Sequence, residues 1–212
     1  MTRWLTVSLL TACLAASGAW AAGGKHKEDA AGHTRPAPAQ AAKPAAPTWR
    51  IVPGKSSLTF TATQLGQEFT GRFPRFAADL TLDPSDLARA TLTASVDLSA
   101  IDAGDKQRNE ALPGSDWFDV ADHPRATFRS RKIVKKDDRR FEATGVMSIK
   151  GIERQVTIPF TLTPDGDRAA IKAGFSITRT DFKVGDGQWA TGQWVGLDVR
   201  IVIDAVASKS GT

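Results

Sequence analysis

The chain has 212 residues, with 28 Lys and Arg against 23 Asp and Glu and a formal charge of +5, which is enough for one domain with a real core plus some extra chain. Residues 49–207 hold 22 basic and 21 acidic side chains, so the domain is close to neutral and lacks the basic excess of a nucleic-acid binder. One cysteine, Cys13, and three histidines leave no disulfide framework, no zinc-thiolate site and little from which to build a Ser-His-Asp or multi-histidine centre.

Residues 1–21 read as an export signal. Arg3 is the basic start, Trp4 to Ala16 the apolar run, and Ala19-Trp20-Ala21 a small-x-small cleavage site. The run is too short to span a membrane permanently. Leu10-Thr11-Ala12-Cys13 also fits a lipoprotein box, but lipidation at Cys13 would leave an unusually short signal, so cleavage after Ala21 is favoured. Residues 22–48 are expected to be a disordered linker. From Gly23 to Thr48 there are eight Ala and four Pro and no Leu, Ile, Val or aromatic residue. Such a stretch cannot offset its own conformational entropy by burial.

From Trp49 onward apolar and polar residues alternate, as in half-buried strands. Leu58, Phe60 and Ala62 share one face. Phe69, Gly71 and Phe73 continue in one phase, and beyond Pro74 the apolar set shifts to Phe76, Ala78, Leu80 and Leu82, which predicts a bulge or sharp bend. Asp83-Pro84-Ser85-Asp86 is a turn, followed by Leu92, Ala94, Val96 and Leu98 in phase. Residues 99–120 break the pattern: a helix-compatible piece from Asp105 to Leu112, then Pro113-Gly114 and the pair Trp117-Phe118. After Asp122-His123-Pro124 a strand resumes at Ala126 to Ser130.

Further strands carry Phe141 to Ile149, Val156 to Leu162 and Ile171 to Ile177, with turns at Gly151 and at Pro164 to Asp167. A Gly-rich loop, Gly185 to Gly192, precedes a closing strand with Val195 to Ile203 in phase; a flexible tail is expected at 208–212. About eight strands at hairpin spacing, one helical insertion and no parallel crossover describe an all-β antiparallel barrel or sandwich. The basic run Arg125 to Arg140 reads as a solvated outer face with a charged turn, although docking on anionic lipid or a partner is also open. Trp189 and Trp194 flank the Gly-rich loop, where they would touch a membrane or cap a barrel mouth.

The order of these features resembles the YceI-like family: the helical insertion with Trp117-Phe118 and Asp122-His123-Pro124, Gly151 after Ser148-Ile149-Lys150, and Arg179-Thr180-Asp181-Phe182. The resemblance covers 49–207. It implies an eight-stranded lipocalin-like barrel in the bacterial periplasm that holds a polyisoprenoid or similar amphiphile, such as a polyprenyl lipid or quinone, with no cofactor and no catalysis. On residues alone, small inward positions (Ala62, Gly71, Ala94, Ala143, Gly145, Ala173) among aromatics leave a filled and a hollow interior equally open.

The resemblance favours a tunnel. Its expected lining is Phe60, Phe69, Phe73, Phe76, Trp117, Phe118, Phe128, Ala143, Met147, Phe160, Ala173 and Phe175. Arg108, Asn109, Arg179 and Asp181 are candidates for the mouth, although Arg179 and Asp181 read first as an ion pair pinning the last loop. Expected partners are the lipid ligand and no nucleic acid, with peripheral membrane contact and a homodimer left open. The alternative is a secreted β-sandwich scaffold or adhesion module with a filled core. Neither Gly-x-Ser-x-Gly nor a phosphate-binding loop occurs, whereas paired carboxylates for glycoside chemistry stay open on sequence alone.

Overall fold

A computed structural model describes residues 45–210; the expected signal, and the linker up to residue 44, lie outside the described residues. The strands are β1 (Thr48–Ile51), β2 (Ser57–Gln64), β3 (Gln67–Arg72), β4 (Phe76–Thr81), β5 (Thr91–Asp97), β6 (Arg125–Lys135), β7 (Arg140–Ile149), β8 (Ile152–Asp165), β9 (Arg168–Thr178) and β10 (Asp198–Ser210). A short helix, α1 (Lys106–Ala111), lies between β5 and β6. No helix among the described residues is long and apolar enough to cross a membrane.

These ten segments form eight staves. β1 and β2 are two halves of one path broken at 52–56, and β3 and β4 are halves of the next, broken at 73–75. The second break is the bend read from the phase shift at Pro74. All neighbours pair antiparallel, and β10 closes the ring: one edge runs along β9 and the other meets β2 (Ile201 opposite Phe60) and then β1 (Ser210 opposite Thr48). Closure leaves the apolar face of each strand inside and removes free edges. In β7, for instance, Phe141, Ala143, Gly145, Met147 and Ile149 are buried in strict alternation.

Three boundaries differ from the sequence reading. β1 is a strand of four residues, too short for its alternation to stand out. β6 continues past Ser130 to Lys135 through a bulge between Ser130 and Lys132. The expected tail is strand up to Ser210, because Lys209 and Ser210 pair with Trp49 and Thr48.

One half of the barrel is filled. Phe141 and Phe160 stack with centroids 5.5 Å apart, packed with buried Leu80, Leu82, Ile133, Ala143, Leu162 and Ala207. Two of the small inward residues are explained by close approach. A Cβ on Gly145 would lie 2.2 Å from the Arg129 carbonyl oxygen, at the β6 bulge, and one on Gly71 would lie 2.3 Å from the Phe60 ring. Both contacts are impossible, so glycine there lets neighbours in and opens no volume.

The other end carries the β2–β3 turn, the 98–124 segment, the β7–β8 turn and the 179–197 loop. Segment 98–124 lies over this end as a cap. Asp105 starts α1 by accepting a hydrogen bond from the Arg108 amide at 3.1 Å, the capping chemistry expected of Asp. The amides of Gly185 and Asp186 donate to the Asp116 carbonyl at 2.8 and 2.9 Å. Lys150 Nζ donates to the carbonyls of Ser115 and Lys183 at 2.5 and 3.1 Å, so the cap is tied to both adjacent loops.

Candidate ligand-binding cavity

Beneath the cap the barrel is hollow, with a cavity of about 490 Å³, within the range of small-molecule sites. β2 and β3 place Phe60 and Phe69 on its wall, the bend after β3 adds Phe73, and the first residue of β4 adds Phe76. Phe60 packs against both Phe69 and Phe73, at 6.1 and 5.3 Å between centroids. Phe128, Met147 and Phe175 face it from β6, β7 and β9, and Trp117 and Phe118 reach it from the cap. Trp117 packs on Trp189 at 5.7 Å and Phe118 on Phe73 at 6.2 Å, so this aromatic pair sits at the capped end.

Ala143, Phe160 and Ala173 are not on the cavity wall. Ala143 is fully buried between its cross-strand partners Ile133 and Ile158, and Phe160 pairs across to Ala173 in the filled half. Alternation puts all three inward, but their height along the barrel puts them below the hollow. The small residues on the wall are instead Ala62, Ala77, Ala78, Ala94, Ala111 and Ala126.

The polar groups gather at the capped end. Arg108 lines the cavity with its guanidinium 4.3 Å from the centre of the Phe69 ring. It donates through Nη1 to Gln64 Oε1 and through Nε to the Ala103 carbonyl, each at 3.1 Å. Gln64, Asp105 and Gln107 line the same rim. Gln64 stands in phase with the inward Leu58, Phe60 and Ala62, and only its polarity sets it apart from an apolar lining pattern. Asn109 is not at the rim. Its side-chain oxygen accepts from the Ala103 amide at 2.7 Å and its Nδ2 donates to Asp102.

Arg179 is the one charged side chain buried among the described residues, at 3 % exposed. It donates to five backbone carbonyls: Nε to Gly196, Nη1 to Val184 and Gly185, and Nη2 to Trp189 and Val195, at 2.5 to 2.9 Å. Burial holds its pKa below the usual arginine value. Trp117 lies 5.6 Å from the guanidinium. A Cβ on Gly185 would sit 2.2 Å from Nη1, so this backbone passes only as glycine. Arg179 thus pins the 183–196 loop, but through carbonyls and not through an ion pair with Asp181, which is exposed.

Asp102 anchors the start of the cap. Its carboxylate accepts from the Gly104 amide, from Asn109 and from Arg72, and those hydrogen bonds hold its pKa below the ordinary carboxylate range. A depressed folded pKa means that the stabilisation is complete above the ordinary value near 3.9 and is lost as pH falls through the lower folded value. The protection of the Gly104 amide, its exchange rate relative to the intrinsic rate at each pH, is therefore expected to fall as Asp102 is protonated in acid in the wild type. In Asp102→Asn, followed by NMR, this acid step should be missing.

The sequence of residues 49–207 matches the YceI-like domain. A UPF0312 protein of Vibrio parahaemolyticus is 29% identical over 104 residues, 49% of this chain and 55% of that one; the match spans about half the length of such relatives. Among solved structures, Burkholderia cenocepacia BcnA is 31% identical with a TM-score of 0.71, over 74% of this chain and 99% of that one. A polyisoprenoid binding domain from Saccharophagus degradans, implicated in plant cell wall breakdown, has the same fold at 12% identity, with a TM-score of 0.63 over 76% of this chain and 98% of its own.

Proposed function

The chain belongs to the YceI-like family, and on that premise we propose that its barrel binds one isoprenoid or similar long-chain amphiphile, non-covalently and without catalysis, as a carrier or store. The observation that carries this reading is the apolar cavity of about 490 Å³ under the cap, with its polar groups at one rim. Each buried methylene contributes about 0.8 kcal/mol, so the ligand's chain needs no directed contact to bind. A polar head, as on a polyprenyl lipid or quinone, would sit at Gln64, Gln107 and Arg108.

The polyisoprenoid-binding domain of Saccharophagus degradans, which shares the fold, supports the ligand class. The expected export signal places the protein in the periplasm under this proposal. The hollow upper half speaks against a scaffold with a filled core. Native mass spectrometry of the protein exported by a bacterial host, followed by solvent extraction, is the test. A single apolar adduct that fragments as a prenyl or quinone lipid is the expected result. A clean apo mass, with no uptake when such lipids are added, would sink the reading.

A further inference from the structure

Four large hydrophobic side chains are exposed among the described residues, and three of them lie at one corner of the capped end: Leu65 at 65%, Trp194 at 49% and Leu197 at 36%. Leu65 is at the tip of the β2–β3 hairpin and Trp194 is in the facing loop. A bridge between Gln64 and Val195 joins the two segments, and the Leu65 amide donates to the Trp194 carbonyl at 2.9 Å. Leu65 and Trp194 are therefore directly across from one another, each one residue from a group that lines the cavity.

Leu65 is also in a backbone conformation that does not suit it. Leu65 and Gly66 both have positive φ, at 52° and 76°, the geometry of a two-residue hairpin turn in which Asn-Gly is preferred. An L side chain other than Asn or Asp is disfavoured there. A water-facing leucine in that position gains nothing from the folded protein in return. Its neighbours at the tip, Gln64, Gly66, Gln67, Thr191, Gly192 and Gln193, are all uncharged.

We propose that Leu65, Trp194 and Leu197 form the surface by which the protein docks on a lipid bilayer, with the cavity rim brought against the headgroups. A bilayer fits this corner better than a protein does. Tryptophan and leucine on a small projecting tip insert at the headgroup boundary, and a tip whose own residues are uncharged can enter it without stripping water from an ion. Three side chains fall well short of the roughly 1,000 Å² that a stable protein interface covers. The purpose of the docking rests on the lipid-binding reading above: an apolar chain would pass between membrane and cavity without crossing open water.

Hydrogen exchange of the full chain with and without vesicles of phosphatidylethanolamine and phosphatidylglycerol tests this. Vesicles should slow exchange in 62–68 and 190–197 and leave the turns at the opposite end, 136–139 and 165–167, unchanged. In the double variant Leu65→Asn, Trp194→Ser, half-maximal protection should need at least tenfold more lipid. Leu65→Asn alone should raise the melting temperature, since asparagine tolerates the turn; this separates loss of docking from loss of fold. Filling of the cavity by a polyprenyl lipid delivered from detergent should be equal in wild type and variant.

Filling without vesicle-dependent protection at the tip would overturn the docking and leave the lipid-binding reading standing. Protection without filling would do the reverse. Protection that grows with protein concentration in the absence of vesicles would make the occupant a second copy and overturn the proposal.

Discussion

Arg179→Met is expected to cost the barrel on the order of 3–5 kcal/mol, because it removes the donor of five charge-assisted hydrogen bonds in the interior. The methionine fills much of the space but leaves the carbonyls of Val184, Gly185, Trp189, Val195 and Gly196 without their donor. Each acceptor left dry costs about 1–3 kcal/mol, less where the loosened loop admits water. The urea midpoint should fall accordingly, with the 183–196 loop losing exchange protection first. Arg179→Lys should recover only a part, since an ammonium offers three donors from one point where the guanidinium spreads five in a plane. An Arg179→Met variant as stable as the wild type would mean that the loop holds itself.

A phenylalanine in the hollow should act on binding and not on stability. Ala94 is half-buried on the cavity wall beside its cross-strand neighbours Ala78 and Phe128. In Ala94→Phe the ring would displace about three or four methylenes of a bound chain. At ~0.8 kcal/mol each, that is roughly a 50- to 200-fold loss of affinity. Ala143→Phe is the contrast. It has no room, with Ile133 and Ile158 on either side, so overpacking should cost about 1–3 kcal/mol of stability with little effect on affinity for the folded protein. Titration of a fluorescent prenyl analogue and urea unfolding of both variants separate the effects. Wild-type affinity in Ala94→Phe would mean that the ligand lies elsewhere.

The comparison of Ala94 with Ala143 marks what sequence can and cannot carry. Period-two alternation places both inside, because it depends only on the pleat. Whether an inward residue meets the stacked Phe141 and Phe160 or the open volume beneath the cap depends on how far along a tilted stave it lies, and that is fixed by its partners in other strands. The bend at Pro74 and the start of α1 were legible because local chemistry decides them. Arg179 was legible as a residue that matters, but its partners are backbone carbonyls 5 to 17 residues downstream. A carbonyl has no letter of its own in the sequence. Asp181 is the nearest carboxylate in the sequence, but it is exposed and takes no part. Asn109 is a parallel case: its place beside Arg108 suggests the rim, but its side chain is bonded to the turn at 102–104.

The pairing of Thr48 with Ser210 has a topological consequence. The ends of the barrel run side by side, about 5 Å apart at the Cα atoms as antiparallel partners are, at the end opposite the cap. One short connector between them would make the eight-stave ring covalently continuous, and a new opening could be cut at the exposed β8–β9 turn around Gly166 without parting any stave. By the same adjacency, a tether fixed to either end of the barrel departs from its closed base. A molecule held on a support by such a tether is attached at the end away from its rim and from the leucine and tryptophan beside it.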